Sequence, residues 1–213
     1  MKVAVYSGSF NPLHIGHLAI MRYLTKSAGF DMVYLVVSPK NPIKSTVSAD
    51  TGRERYEAAL EAVARHPELD VRVDDIELEM PAPQYTIRTL DALAAREPGN
   101  SFVFVLGADN LADIRRWRDY GRILSDYGVA VYPRRGYDMA AARDALMAEC
   151  GAAGEQASGQ VTVPDREADS NVFLPDRGIY RIMLMEDAPQ VDISSSGLRA
   201  AFAAGIDASA YLM

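Results

Sequence analysis

Continuous apolar runs and amphipathic runs alternate along this chain, and the alternation predicts strands and helices in turn. Val3–Ser7 reads as a first strand. A helix follows from about Gly16 to Ala28, with Gly29 placed to stop it. Met32–Val37 is a second strand, Arg53–Arg65 a second amphipathic helix, and Val71 and Val73 mark a third strand. Thr86 suits the N-cap of a helix over Ile87–Arg96, which ends before Pro98 and Gly99. Phe102–Leu106 is unbroken apolar sequence, as a strand covered on both faces requires. Gly128–Tyr132 and Tyr180–Leu184 read as the fifth and sixth strands, and a last helix begins behind Ser194. The pattern predicts an α/β fold: a Rossmann-like, doubly wound, mainly parallel sheet with helices on both faces.

One zone departs from this rhythm. Residues 138–178 hold an alanine-rich helical stretch, Met139–Ala148, then a small, polar, glycine-containing connection, Gly151–Gly159. They read as a surface insertion in a single domain spanning 1–213, a length that suits one larger domain.

Composition narrows the function classes. The net charge is −7, so wrapping nucleic acid is disfavoured, and an anionic ligand must be held by a local cluster of donors. One cysteine, Cys150, rules out an internal disulfide. No apolar run reaches the length of a membrane span, and Met1-Lys2-Val3-Ala4-Val5 has no cleavable signal pattern. The expectation is a soluble cytoplasmic protein with neither nucleic-acid nor membrane partners; homo-oligomer formation stays open.

The chemistry concentrates in Gly8-Ser9-Phe10-Asn11-Pro12-Leu13-His14-Ile15-Gly16-His17. This stretch joins the first strand to the first helix. There a parallel sheet binds phosphate, because a helix N-terminus offers free amides and the positive end of a dipole. Glycine lets the backbone approach a ligand. Two of the chain's three histidines fall in this loop and add side-chain donors. A zinc site is the competing reading, but no cysteine or third histidine lies near in sequence to complete one.

Two further segments join this loop: Gly107-Ala108-Asp109-Asn110 with Trp117 behind it, and Asp192-Ile193-Ser194-Ser195-Ser196-Gly197-Leu198-Arg199. Together the three closely resemble the nicotinate mononucleotide adenylyltransferases of the HxGH nucleotidyltransferase superfamily. Tyr85-Thr86, Trp117 and Arg134 with Gly136 point to the pyridine-nucleotide branch. The resemblance implies transfer of AMP from ATP to nicotinate mononucleotide, with pyrophosphate released and Mg²⁺ accompanying ATP. It implies a catalytic set of His14, His17, Lys44 and Arg199. It places ATP against Gly8, Ser9, Phe10, His17, Gly107, Asp109, Ile193, Ser194, Ser195, Ser196 and Arg199. The mononucleotide falls to Asn11, Lys44, Tyr85, Thr86, Trp117 and Arg134, with the indole stacked on the pyridine ring.

The physics agrees with such a reaction. A phosphate monoester is already anionic at neutral pH and needs no general base. The task is to align two anions and stabilise charge on the α-phosphoryl oxygens and the leaving group, which suits imidazoles, amides and arginines. One departure stands out. The family's Pro-x-x-Pro-His-Lys pattern appears here as Pro39-Lys40-Asn41-Pro42-Ile43-Lys44, without its histidine. Arg55 is a weaker candidate for a phosphate contact and reads first as a solvated helix residue, and His66 as a helix-end residue with no part in the chemistry. The rival readings are a nicotinamide mononucleotide enzyme, another transferase of the superfamily, a fragment of a class I aminoacyl-tRNA synthetase, and a nucleotide sensor without turnover.

Overall fold

The computed structural model describes residues 1–39, 52–155 and 180–213. Strand β1 (Lys2–Gly8) leads to α1 (Ile15–Lys26), and β2 (Met32–Val37) to α2 (Gly52–Ala64). Then come β3 (Val71–Asp74), the short α3 (Ile76–Glu79) and α4 (Thr86–Arg96). Strand β4 (Ser101–Gly107) runs straight into α5 (Ala108–Ala112). A 3₁₀ turn (Ile114–Arg116) follows, and α6 (Tyr120–Arg122) continues as a π turn (Ile123–Tyr127). The chain closes with β5 (Val129–Tyr132), α7 (Met139–Glu155), β6 (Ile182–Leu184) and α8 (Ser195–Ala203).

The six strands form one sheet in the order β3-β2-β1-β4-β5-β6, and every pairing is parallel. The alternating side chains of β1 divide the core. Ala4 and Tyr6 join a cluster with Ile20, Met21 and Leu24 of α1 and Ala59 and Ala62 of α2. Val3 and Val5 join a second cluster with Leu90 and Leu93 of α4, Leu111 of α5 and Leu146 of α7. Helices therefore cover both faces, as the near-continuous apolar strands require.

Several local readings change. Tyr85, not Thr86, is the N-cap of α4, and Thr86 is its first helical residue. The helix expected as surface decoration is the crossover from β5 to β6, and it buries Leu146 in the second core. It runs through Glu155, so Gly151 and Gly154 are helical where a connection was expected. The rest of the 138–178 segment, from residue 156 on, lies outside the described residues.

The strand order fixes where a ligand goes. From β1 the chain winds out through β2 and β3, then returns to place β4 on the other side of β1. The connections after β1 and β4 diverge from that point, and a crevice opens beyond the strand ends at Gly8 and Gly107.

Candidate active site

His14 is the N-cap of α1, in an extended conformation. Its Nδ1 accepts from the Gly16 amide at 3.2 Å. The Nδ1 of His17 accepts from the His14 amide at 3.2 Å, so each imidazole caps backbone at the same helix start. This reciprocal cap assigns the tautomers: with Nδ1 accepting, the proton of each neutral ring sits on Nε2, which remains a donor. The rings stack with centroids 3.7 Å apart. Burial, helped by the Arg134 charge, brings the His14 pKa down to about 4. Burial also takes His17 well below the usual imidazole range, with His14 and Arg134 adding to the effect. The pair is thus two neutral, oriented donors. Gly16 between them is tightly packed: a Cβ there would stand 3.0 Å from the His14 ring and 3.2 Å from Ile193 Cγ2, so those side chains would have to give way.

The turn ahead of α1 is equally constrained. Phe10 is left-handed, with φ 43°. Its ring packs edge-on against Tyr6 and His17 and lies 3.2 Å from where a Cβ on Gly8 would be. Arg55, expected to be solvated, is only 7% exposed. It donates to the carbonyls of Ser9, Ser38 and Pro39 at 2.6–2.7 Å.

The last helix docks on the same turn. The Ser194 hydroxyl caps α8 by accepting from the Gly197 amide at 3.1 Å. Ser195 donates to the Pro12 carbonyl at 3.1 Å, and Arg199 to the Asn11 carbonyl at 2.6 Å. Two helix N-termini, 180 residues apart in sequence by the α1 and α8 start positions Ile15 and Ser195, therefore open on one space. Their dipoles and amides favour an anion there.

The far wall comes from β4 and β5. Gly107 caps α5, and a Cβ on it would fall 2.4 Å from Asp109 Oδ1 and 3.1 Å from the Arg134 side chain. Asp109 Oδ1 is buried and makes no hydrogen bond, with Arg134 Nε 3.8 Å away. Arg134 donates to the Tyr132 hydroxyl at 3.1 Å and lies over the Tyr132 ring. The cavity is open on one side and measures about 940 Å³. Arg55, Arg134, Arg135 and Arg199 line it against Asp109 and Asp192, so the wall is cationic in a chain of net charge −7.

The structure therefore gathers Gly8, Ser9, Phe10, Asn11, His14, His17, Asp109, Arg134, Ile193, Ser194, Ser195, Ser196 and Arg199 around one cavity, with Gly107 behind Asp109 and Arg134. Tyr85 and Trp117 line a second, shallower hollow with Arg116, Arg118 and Asp119. Trp117 meets Phe104 edge-on, and the Arg118 guanidinium lies 5.5 Å from the Tyr85 ring centroid. Arg134, assigned from sequence to the mononucleotide, sits in the histidine cavity rather than in this hollow. Thr86 opens α4 beside Tyr85. Lys44 lies outside the described residues. Among the described residues no cluster of three or more histidine, cysteine or carboxylate side chains could hold a metal ion.

Residues 5–201 match the family model described as cytidylyltransferase-like. The chain belongs to the cytidylyltransferase-like family. A probable nicotinate-nucleotide adenylyltransferase of Cytophaga hutchinsonii is 39% identical over 134 residues, covering 63% of this chain and 69% of the relative. One from Azobacteroides pseudotrichonymphae is 29% identical over 212 residues, covering 100% of this chain and 92% of the relative. Among solved structures, a Plasmodium falciparum nicotinic acid mononucleotide adenylyltransferase complexed with NaAD superposes with a TM-score of 0.69. That match covers 98% of this chain and 87% of the other, at 15% identity, and speaks for the fold.

Within this cytidylyltransferase-like chain, Tyr6 and Tyr132 line the histidine cavity without having been found in the sequence, Arg55 lines it where a solvated residue was expected, and Glu77 supports it from behind. Tyr6 and Tyr132 are strand residues whose rings pack at 6.1 Å beside the histidines, and strand tyrosines read as core. Glu77 sits in the short α3 that periodicity does not reveal.

Proposed function

We propose that this chain transfers AMP from ATP to nicotinate mononucleotide, giving nicotinate adenine dinucleotide and pyrophosphate. The observation that carries the reading is the pair of neutral, Nε2-donating histidines set between two helix N-termini in an arginine-lined cavity. The relatives named nicotinate-nucleotide adenylyltransferase give the acceptor.

The 5′-phosphate of the mononucleotide attacks the α-phosphorus, and the bond to the pyrophosphate oxygen breaks. No proton must be removed from the nucleophile. The work of the site is to hold two anions in line and stabilise charge that builds on the α-phosphoryl oxygens and leaving group. His14 and His17 donate from Nε2 to the α-phosphoryl oxygens. The amides of Ser195 and Ser196, the Ser194 and Ser196 hydroxyls and Arg199 take the β- and γ-phosphates. Trp117 and Tyr85 flank the pyridine ring, whose electron-poor face suits indole. The first amides of α4 meet its carboxylate.

Mg²⁺ fits as a companion of ATP. The buried, hydrogen-bond-free Oδ1 of Asp109 is one hard oxygen donor, and Mg²⁺ is commonly held by one or two carboxylates together with substrate phosphates. Bound there, the ion would neutralise phosphate charge. No described helix is long and apolar enough to cross a membrane. We place the enzyme in the cytoplasm, working on small molecules without nucleic-acid or membrane partners.

The test is pyrophosphate release with ATP and Mg²⁺ across three acceptors: nicotinate mononucleotide, nicotinamide mononucleotide and phosphopantetheine. The first should be fastest. Release with phosphopantetheine alone would contradict the assignment.

A further inference from the structure

Arg55 and Glu77 are both buried, and the transfer just described uses neither. They meet at the junction where β1 and β2 release the chain. From α2, one guanidinium nitrogen of Arg55 donates to Ser9 O at 2.6 Å and to Ser38 O at 2.7 Å, and the other donates to Pro39 O at 2.7 Å. From α3, the Glu77 carboxylate accepts from Ser7 Oγ at 3.0 Å, Ser38 Oγ at 2.6 Å and Thr89 Oγ1 at 2.9 Å. Ser38 is gripped from both sides, its carbonyl by the cation and its hydroxyl by the anion. Its amide also donates to Gly8 O at 2.9 Å.

Arg55 itself reaches the Gly8–Asn11 turn through the Ser9 carbonyl. A peptide unit is planar, with its carbonyl and amide pointing opposite ways. Holding the Ser9 carbonyl on Arg55 therefore fixes the direction of the Phe10 amide. Phe10 is left-handed, a conformation that a non-glycine residue keeps only where its surroundings impose it. Released from Arg55, the turn can relax, and both the Phe10 amide and the Phe10 ring packed on His17 lose their setting.

We infer that Arg55 is a positioning residue for the nucleotide, setting the Gly8–Asn11 turn through the Ser9 carbonyl while Glu77 holds the same junction from the opposite side. This rests on the reading that ATP occupies the histidine cavity. Arginine is needed because one planar fork must serve three carbonyls, whereas a lysine ammonium is a point donor on a flexible stem.

The experiment measures dissociation constants of ATP with Mg²⁺ and of nicotinate mononucleotide, by calorimetry, for wild type, Arg55→Met and Arg55→Lys, with wild-type turnover and thermal melts alongside. The ATP constant should rise about tenfold in Arg55→Met and less in Arg55→Lys, while the mononucleotide constant stays within about twofold. If Arg55→Met does not fold, Arg55→Lys, which keeps the buried cation, decides by the same split. An unchanged ATP constant, or equal rises for both ligands, would overturn the inference. A wild type that binds ATP without making dinucleotide would instead refute the proposed reaction and leave the ATP comparison valid.

Discussion

The two hollows at the carboxyl edge of the sheet are built on opposite principles. The histidine cavity is locked: His14 and His17 cap the same helix start, α8 is tied to the Pro12 and Asn11 carbonyls, and Arg55 holds Ser9. The Trp117 hollow is open, with exposed Arg116, Arg118 and Asp119 around two half-buried aromatic rings. In the proposed transfer, charge develops in the histidine cavity, and preorganised donors there need no rearrangement as it does. In the Trp117 hollow the proposal places no reacting atom, so stacking area suffices and the ligand supplies the order.

If this contrast is right, substitutions in the cavity strike turnover and those in the hollow strike acceptor binding. His17→Ala should have the largest effect, lowering kcat by about 10²–10³, while stability falls by only about 1 kcal/mol for the lost cap. Stopped-flow turnover and urea melts measure the two, and near-wild-type turnover would remove His17 from the mechanism. Gly107→Ala comes next. Its Cβ would meet Asp109 Oδ1 and the Arg134 side chain and push both from place. We expect kcat/KM for ATP to drop about tenfold to a hundredfold, as small displacements in aligned sites do. Trp117→Ala should raise KM for the mononucleotide about tenfold, from lost ring stacking, and leave that for ATP within about twofold. Equal changes in both would erase the distinction between the hollows.

The smallest effect is on pH. The folded chain keeps His14 neutral down to about 4, whereas an unfolded histidine titrates near 6.5. Between about 6.5 and 4 the unfolded state binds protons that the folded state refuses, so stability is full above that window and drains as pH falls through it. The urea midpoint should be lower at about pH 5 than at about pH 7, and His14→Gln should lose less over the same drop.

The strands, the parallel sheet and the gathering of most of the histidine-cavity residues were legible because each rests on a local signal. Apolar runs mark the strands, and Gly8, His14, Gly16 and His17 lie within ten residues of one another. Ser194 announced its cap correctly. Arg55 was not legible, since a charged residue in an amphipathic helix looks solvated and its carbonyl partners lie 46, 17 and 16 residues away. Thr86 misled as a cap because a hydroxyl residue favours that position, yet the chain begins the helix one residue earlier, with Tyr85 as cap. The helix expected over Met139–Ala148 was misjudged in extent and role because its alanines hide the core contacts made by Met139, Ala142 and Leu146.

A crystal structure with a non-hydrolysable ATP analogue tests the central claim most directly. The triphosphate should lie within hydrogen-bond reach of Nε2 of His14 and His17 and of the Ser195 and Ser196 amides. Phosphates bound instead in the hollow between Tyr85 and Trp117, with the histidine cavity holding only solvent, would contradict it.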